Sequence, residues 1–260
     1  MRGRVVVAGA LVAVPTLVAV AGPLLAPLTT AQRGIAYWSG PGYPLGTDSL
    51  GRDVLGLVLR GGASVLLLAA TASLVAYALG ALVGLAAAGT RRRWLDELLM
   101  RPLDVLLAVP ALLVLLLVAS LTDRGVGMVV VVVAVVNTPA IARLIRAATL
   151  DAVRRPAAEA MLLQGEPRWR VYAVFVAREV ARPLLADAGT RLTTAVYLVG
   201  AANFLGVGLP PGSADWAVLV DRNRAGLLLQ PWAVLAPAIL IVALTVGMNL
   251  LADDLTRRRR

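Results

Sequence analysis

Residues 61–90 read GGASVLLLAATASLVAYALGALVGLAAAGT, thirty consecutive positions without a charged side chain. At about 1.5 Å of rise per residue, a helix of that length more than crosses the roughly 30 Å hydrocarbon core of a bilayer. Five further windows of at least 18 uncharged residues have the same character: 5–32, 105–122, 125–142, 192–214 and 225–252. The reading is an all-α polytopic membrane protein with six transmembrane helices. Asp104 and Arg143 are expected to snorkel at the cytoplasmic ends of the two shortest spans.

Composition narrows the class. Of 260 residues, 59% are hydrophobic and 15% charged, with a mean hydropathy of +0.82, whereas soluble domains carry about a quarter charged residues. A disordered chain, a collagen, a coiled coil and an ordinary soluble domain are excluded. The chain has no Cys and no His, so a disulfide framework, a thiol nucleophile, an imidazole base and the usual zinc or haem ligand sets are unavailable. All 25 cations are arginine, as G+C-rich bacterial coding produces, and without lysine no Walker A loop can exist. The chain is therefore not expected to be an enzyme, nor to bind a metal or cofactor of its own.

The net charge of +10 reads as topology rather than nucleic-acid affinity. With the amino terminus inside, 18 arginines fall on the inner side and six on the outer, and Arg191 stays within the membrane boundary. The positive-inside rule then puts both termini in the cytoplasm. Ala19-Val20-Ala21 resembles a signal-peptide cleavage site, but the uncharged run outlasts an h-region, which favours an uncleaved anchor.

Two segments outside the spans are long enough to have work of their own. In 29–60, Asp48 or Ser49 is expected to cap a short amphipathic surface helix whose apolar face is Leu50, Val54, Leu57 and Val58; a simple entry turn into the second span is the alternative. In 143–183, one helix is expected from Asp151 to Leu163, with Gly165 as its stop, and a second from Arg168 to Val180. A connection of this length suggests a docking surface for a soluble partner.

Within the membrane, Ala72, Ala76, Gly80, Gly84 and Ala88 recur at every fourth position, a helix-packing stripe whose partner helix the sequence leaves open. Pro15, Pro110, Pro139 and Pro237 mark sites where spans can kink. Asn137 and Asn203 are expected to hydrogen-bond between helices. No ionisable residue falls at midplane, so an ion relay is lacking and the driving energy is expected from another protein.

Several stretches resemble the permeases of dipeptide, oligopeptide and nickel ABC importers, specifically the second of their two homologous membrane subunits. Gly46-Thr47-Asp48-Ser49-Leu50-Gly51-Arg52-Asp53-Val54-Leu55 is similar to that family's GTDxxGRDVL signature before the second span. Met100-Arg101-Pro102-Leu103-Asp104 leading to Pro110, and Phe204-Leu205-Gly206-Val207-Gly208 followed by Pro210, Pro211 and Trp216, extend the likeness. The inner loop resembles the ABC-importer EAA signature in Glu159, Ala160 and Gly165, with Met161 at the second alanine, Phe175 at the isoleucine, Ala177 at the leucine and Arg178 at the proline.

The resemblance implies a type I importer permease of MetI-like fold. It places Glu159, Ala160 and Gly165 on a coupling helix docked to an ATPase, and Gly46, Thr47, Asp48, Gly51, Arg52 and Asp53 in the outer signature. It implies as partners a homologous permease subunit, two ATP-binding subunits or domains carrying ATP and Mg, and an extracytoplasmic solute-binding protein, at a bacterial plasma membrane. The solute would be a short peptide, or nickel or a related small solute. The expected organisation is an anchor over 1–28, an extracytoplasmic segment over 29–60, a five-helix permease core over 61–252 with its coupling loop at 143–183, and a basic tail over 253–260. An ATPase-independent transporter or channel, or a membrane scaffold, are the competing classes.

Overall fold

The computed structural model describes residues 2–90 and 92–257; Met1, Arg91 and Arg258–Arg260, the last three residues of the expected basic tail, lie outside the described residues. Lipid offers no hydrogen bonds to the backbone, so a spanning segment must satisfy its own amides, and helices do this residue by residue. Among the described residues there is no strand, only the isolated bridges Gly40–Tyr43 and Thr47–Asp53 in the outer loop.

Four helices are long and apolar enough to cross a membrane. They are α1 (Arg2–Leu25), α2 (Val54–Gly89), α5 (Val126–Val153) and α10 (Trp232–Arg257). The expected span over 105–122 is a broken pair instead: α3 (Arg93–Ala108) meets α4 (Ala111–Leu121) at 96°. Pro110 lacks an amide to continue the helix, and its ring forces Val109 into extended backbone at φ −92° and ψ 129°.

A fifth long helix, α8 (Ala177–Phe204), stands where the window 192–214 was expected and is not among those apolar enough to cross; it ends at Phe204, and residues 205–215 form a loop. Uncharged windows displaced this span because its inner half carries Arg178, Glu179, Arg182, Asp187 and Arg191. Asp187 and Arg191 neutralise each other at 2.9 Å, and the Tyr77 hydroxyl of α2 donates to the same carboxylate at 3.4 Å.

The outer surface helix expected over 48–58 does not form. Val54, Leu57 and Val58 are the first turns of α2, buried against Leu219 and Ala233, while Leu50 stays exposed in the loop. The cap is Asp53, whose carboxylate accepts from the amides of Leu55 and Gly56. The entry-turn alternative describes this segment better.

On the inner side, α5 continues to Val153, so the helix expected from Asp151 breaks at Arg154–Arg155 before α6 (Pro156–Leu163). The second expected helix is not separate either. A single turn α7 (Arg168–Arg170) leads through a wider π-helical stretch, Val171–Val176, into α8.

The small-residue stripe packs within the subunit, against α5. A Cβ on Gly80 would lie 2.5 Å from Ile141 Cγ2, and one on Gly84 would lie 2.6 Å from the Ala142 carbonyl oxygen. Ala76 is buried in the same cluster as Ile141 and Ile145; Ala88, half-buried, instead lines a cavity with Ala158 and Tyr172. Towards the outer half, Val65 and Ala69 of α2, Leu115 of α4, Val133 of α5, Val196 of α8 and Leu244 of α10 share one apolar core.

Asn137 does not bridge helices: it donates to Val133 O of its own helix. Asn203 accepts from the Leu209 amide in the following loop and lies beside the Asp215 carboxylate that caps the next helix.

The α2–α5 contact predicts an ordering. Gly80→Ala meets the β-branched stem of buried Ile141, Gly84→Ala meets the Ala142 carbonyl, and Gly89→Ala meets open space. Overpacking costs about 1–3 kcal/mol, so thermal unfolding in detergent should drop for Gly80→Ala and Gly84→Ala and stay unchanged for Gly89→Ala.

Candidate functional site

Three places bear on function: an outer lock, an inner elbow, and a groove between them. The lock is built on Asp48, which is fully buried. Its Oδ1 accepts from the amides of Leu50 and Arg52 at 2.9 and 2.8 Å, and its Oδ2 takes Arg52 Nε and Arg222 NH2, each at 2.9 Å. Arg222 belongs to α9 (Trp216–Asn223), so the carboxylate ties the outer loop to a short helix far along the chain. Burial pushes the Arg222 guanidinium down, repulsion from Arg52 adds to this, and Asp48 opposes it.

The remaining signature residues hold the same loop. Asn223 Oδ1 accepts from the Ser49 amide at 2.9 Å, and the Thr47 hydroxyl donates to Ile35 O while accepting from the Trp38 amide. Gly46 and Gly51 adopt φ of +72° and +71°. A Cβ on Gly51 would lie 2.1 Å from Gly34 O, and one on Gly46 would overlap the Gln230 side chain. Both positions therefore require glycine for conformation and for space.

Beneath the lock, buried Asp215 caps α9 through the amides of Ala217 and Val218 and accepts from Ser64 Oγ of α2. The Trp216 indole, fully buried, donates to Val58 O at 2.8 Å. Sequence spacing pointed to Trp216, but Asp215, Arg222 and Asn223 were missed. Asp215 two residues after Ser213 and just before an apolar run is a cap signal that was available.

The inner elbow is α6. Pro156 occupies its first turn, where a missing amide costs nothing. At its end the Gly165 amide reaches Leu162 O and the Glu166 amide reaches Met161 O, with Gly165 at φ +83°. This pair of bonds is a Schellman closure, which reverses the chain sharply. Ala158 is buried, whereas Glu159, Ala160 and Gly165 are exposed, as are Leu163 and Trp169. Arg155, ahead of α6, bonds Asp151 and Glu179, fastening the elbow to both α5 and α8.

The departures from the EAA pattern have local accounts. Phe175 packs with Val176 against the Ile145 cluster, as an isoleucine would. Arg178 is exposed on α8, and with no proline to stop the helix the π-helical turns carry the chain on into it.

The groove lies between α8 and α10 beside α9, with a volume near 650 Å³. Thr190, Thr194, Tyr197, Phe204, Thr245 and Asn249 are among its walls, and among the described residues no charged one lines it. Hydroxyls and an amide on an apolar wall can bind polar solutes weakly without holding them.

The family model described as binding-protein-dependent transport system inner membrane component matches residues 77–260. A probable peptide ABC transporter permease protein of Sinorhizobium fredii is 31% identical over 210 residues, covering 81% of this chain and 72% of that protein. A di/tripeptide transport system permease protein of Pseudomonas aeruginosa is 31% identical, with coverages of 82% and 70%. A glutathione transport system permease protein of Pectobacterium atrosepticum is 29% identical over 211 residues, with coverages of 81% and 70%. Among solved structures, an inward-facing MetNI methionine ABC transporter matches with a TM-score of 0.62 over 78% of this chain and 95% of that chain, at 17% identity.

The lock generates a stability prediction. Removing one partner from a buried charge cluster leaves the others uncompensated, at about 3–5 kcal/mol. Asp48→Ala should lower the thermal midpoint of the purified subunit and open the 29–53 loop to protease, while Asp123→Ala, in the exposed α4–α5 turn, should do neither.

Proposed function

The chain belongs to the binding-protein-dependent transport system inner membrane components, and from that premise we propose that it forms half of the translocation path of an ATP-driven importer for short peptides. A homologous permease forms the other half. An extracytoplasmic binding protein delivers the solute to the outer face, and two ATP-binding subunits act on the inner one. This chain hydrolyses nothing and needs no cofactor; its part is conformational. The arginine distribution supports both termini in the cytoplasm, with α6 on the ATPase side.

The observation that carries this reading is α6 itself. It is a stiff eight-residue helix, closed by a proline and a left-handed glycine, with a carboxylate, small residues and Leu163 left uncovered. Small side chains permit close approach, Glu159 supplies a polar contact, and Leu163 supplies apolar area for a partner to bury. Its fastening to α5 and α8 through Arg155 gives a push on α6 two helices to move.

The groove of α8 and α10 is the face we assign to the solute. Its neutral lining suits a zwitterionic peptide, since it offers no fixed charge to trap either end of the solute. The outer signature takes a scaffolding role: Gly46, Thr47, Asp48, Gly51, Arg52 and Asp53 hold the loop that faces the binding protein.

In proteoliposomes of the assembled transporter, Glu159→Ala and Gly165→Val should each lower ATP-driven uptake by about tenfold or more, equivalent to at least about 1.4 kcal/mol of lost coupling. The subunit should still reach the membrane and bind its permease partner. Unchanged uptake in both variants refutes the docking role.

A further inference from the structure

We propose that α3 lies in the plane of the membrane at its cytoplasmic face and engages anionic lipid headgroups, bracing the helix that feeds the coupling elbow. Three observations converge on α3. First, it turns 96° away from α4, whose Leu115 and Ala119 lie in the same apolar core as α5 and α8. A helix at right angles to one that runs with the bundle runs along the membrane surface.

Second, α3 is held by two ion pairs of unequal spacing. Asp96 takes the Arg146 guanidinium in bidentate fashion, and Asp104 takes Arg143. The two carboxylates are eight residues apart on α3, about 12 Å of rise, while the two arginines are three apart on α5, about 4.5 Å. Both pairs close because α3 crosses α5 steeply.

Third, the faces of α3 are sorted. Trp94, Leu98 and Val105 share one side and are 59%, 61% and 69% exposed; no residue of α3 is buried. Arg93, Glu97 and Asp104 line the adjoining side about a quarter turn round the helix, and Arg101 stands at the boundary between the two. A helix that leaves such a stripe uncovered beside a charged face is built for the headgroup boundary, with tryptophan at its preferred depth.

Charge selects the lipid. Asp96 and Asp104 are neutralised by α5, and Glu97 is shared between Arg93 and Arg101, whose side chains are 93% and 76% exposed. With exposed Arg92, five guanidiniums stand against three carboxylates on this face. Phosphate headgroups complement that surplus, at roughly 1 kcal/mol per arginine near an anionic surface.

The location gives the contact a consequence. Arg143 and Arg146 precede the end of α5 at Val153, which is followed directly by α6. A hold on α3 is therefore passed to α5 just ahead of the elbow. The cytoplasmic side rests on the orientation proposed above; the in-plane position does not.

The chain contains no cysteine, so Trp94→Cys, Glu97→Cys, Leu98→Cys, Arg101→Cys and Val105→Cys each give one nitroxide site on this subunit. The assembled transporter, its other subunits freed of cysteine, would be studied in phosphatidylcholine nanodiscs with and without phosphatidylglycerol. Labels at 94, 98 and 105 should contact oxygen, the label at 97 a water-soluble nickel chelate, and the label at 101, on the boundary, both. Phosphatidylglycerol should raise the thermal midpoint of the transporter, and the Arg92→Gln/Arg93→Gln variant should lose that gain.

Depth rising steadily along α3 would mean a crossing helix, and water contact at all five sites a soluble surface. Either result overturns the proposal, as does a phosphatidylglycerol gain that survives in the arginine variant. A reversed orientation would leave the alternation intact and place it in the other leaflet, which chelate added to one side of proteoliposomes reads separately.

Discussion

Ala76, Gly80 and Gly84 bring the backbone of α2 against Ile141, Ala142 and Ile145 of α5 at a separation no larger residue would allow. Lipid is as apolar as a leucine side chain, so burying leucine gains little between spans, and close van der Waals contact carries the association. The two helices so joined are also the two that reach the working ends. The outer turn of α2 emerges from the Asp48 lock, and the inner turn of α5 ends two residues before α6. A closely packed α2–α5 pair therefore lies between the Asp48 lock and α6.

Carboxylates withdrawn from water are satisfied in two ways. Asp53 and Asp215 accept backbone amides, with Ser64 added at Asp215, while Asp48 has Arg52 and Arg222, Asp187 has Arg191, and Asp96 has Arg146. Each of the ion pairs also performs a mechanical task, fastening a loop to α9, closing one turn of α8 beside Tyr77, or pinning α3 to α5. The groove, by contrast, has hydroxyls and an amide but no charged residue among the described ones in its lining.

Sequence patterns were most reliable where one physical rule acted alone. Long uncharged windows located α1, α2, α5 and α10, since crossing lipid forbids charge whatever the neighbours are. Gly165 as a helix stop followed from local backbone chemistry, and so did the small-residue stripe. Errors arose where two rules competed. The 105–122 window was apolar enough to span, but Pro110 broke it; α8 was helical throughout, but its paired charges hid the inner half from a hydropathy count. The apolar spacing of Leu50, Val54, Leu57 and Val58 suggested a surface helix, yet three of those residues face protein as the start of α2.

The outer signature shows the same division at the level of a site. Its glycines, its threonine and its acids were visible as a pattern, but their purpose depended on residues far along the chain: Asn223 and Arg222 are 174 residues from their partners Ser49 and Asp48. Spacing along a chain carries information about a single helix or turn, because those interactions are set within a few residues. It therefore carried the reading of a helical membrane protein and of the glycine stop at the short elbow. Which face of α2 met α5, what Asp48 neutralised, and that α3 turns across the bundle were decided only by the fold, since each depends on a partner that local sequence does not specify.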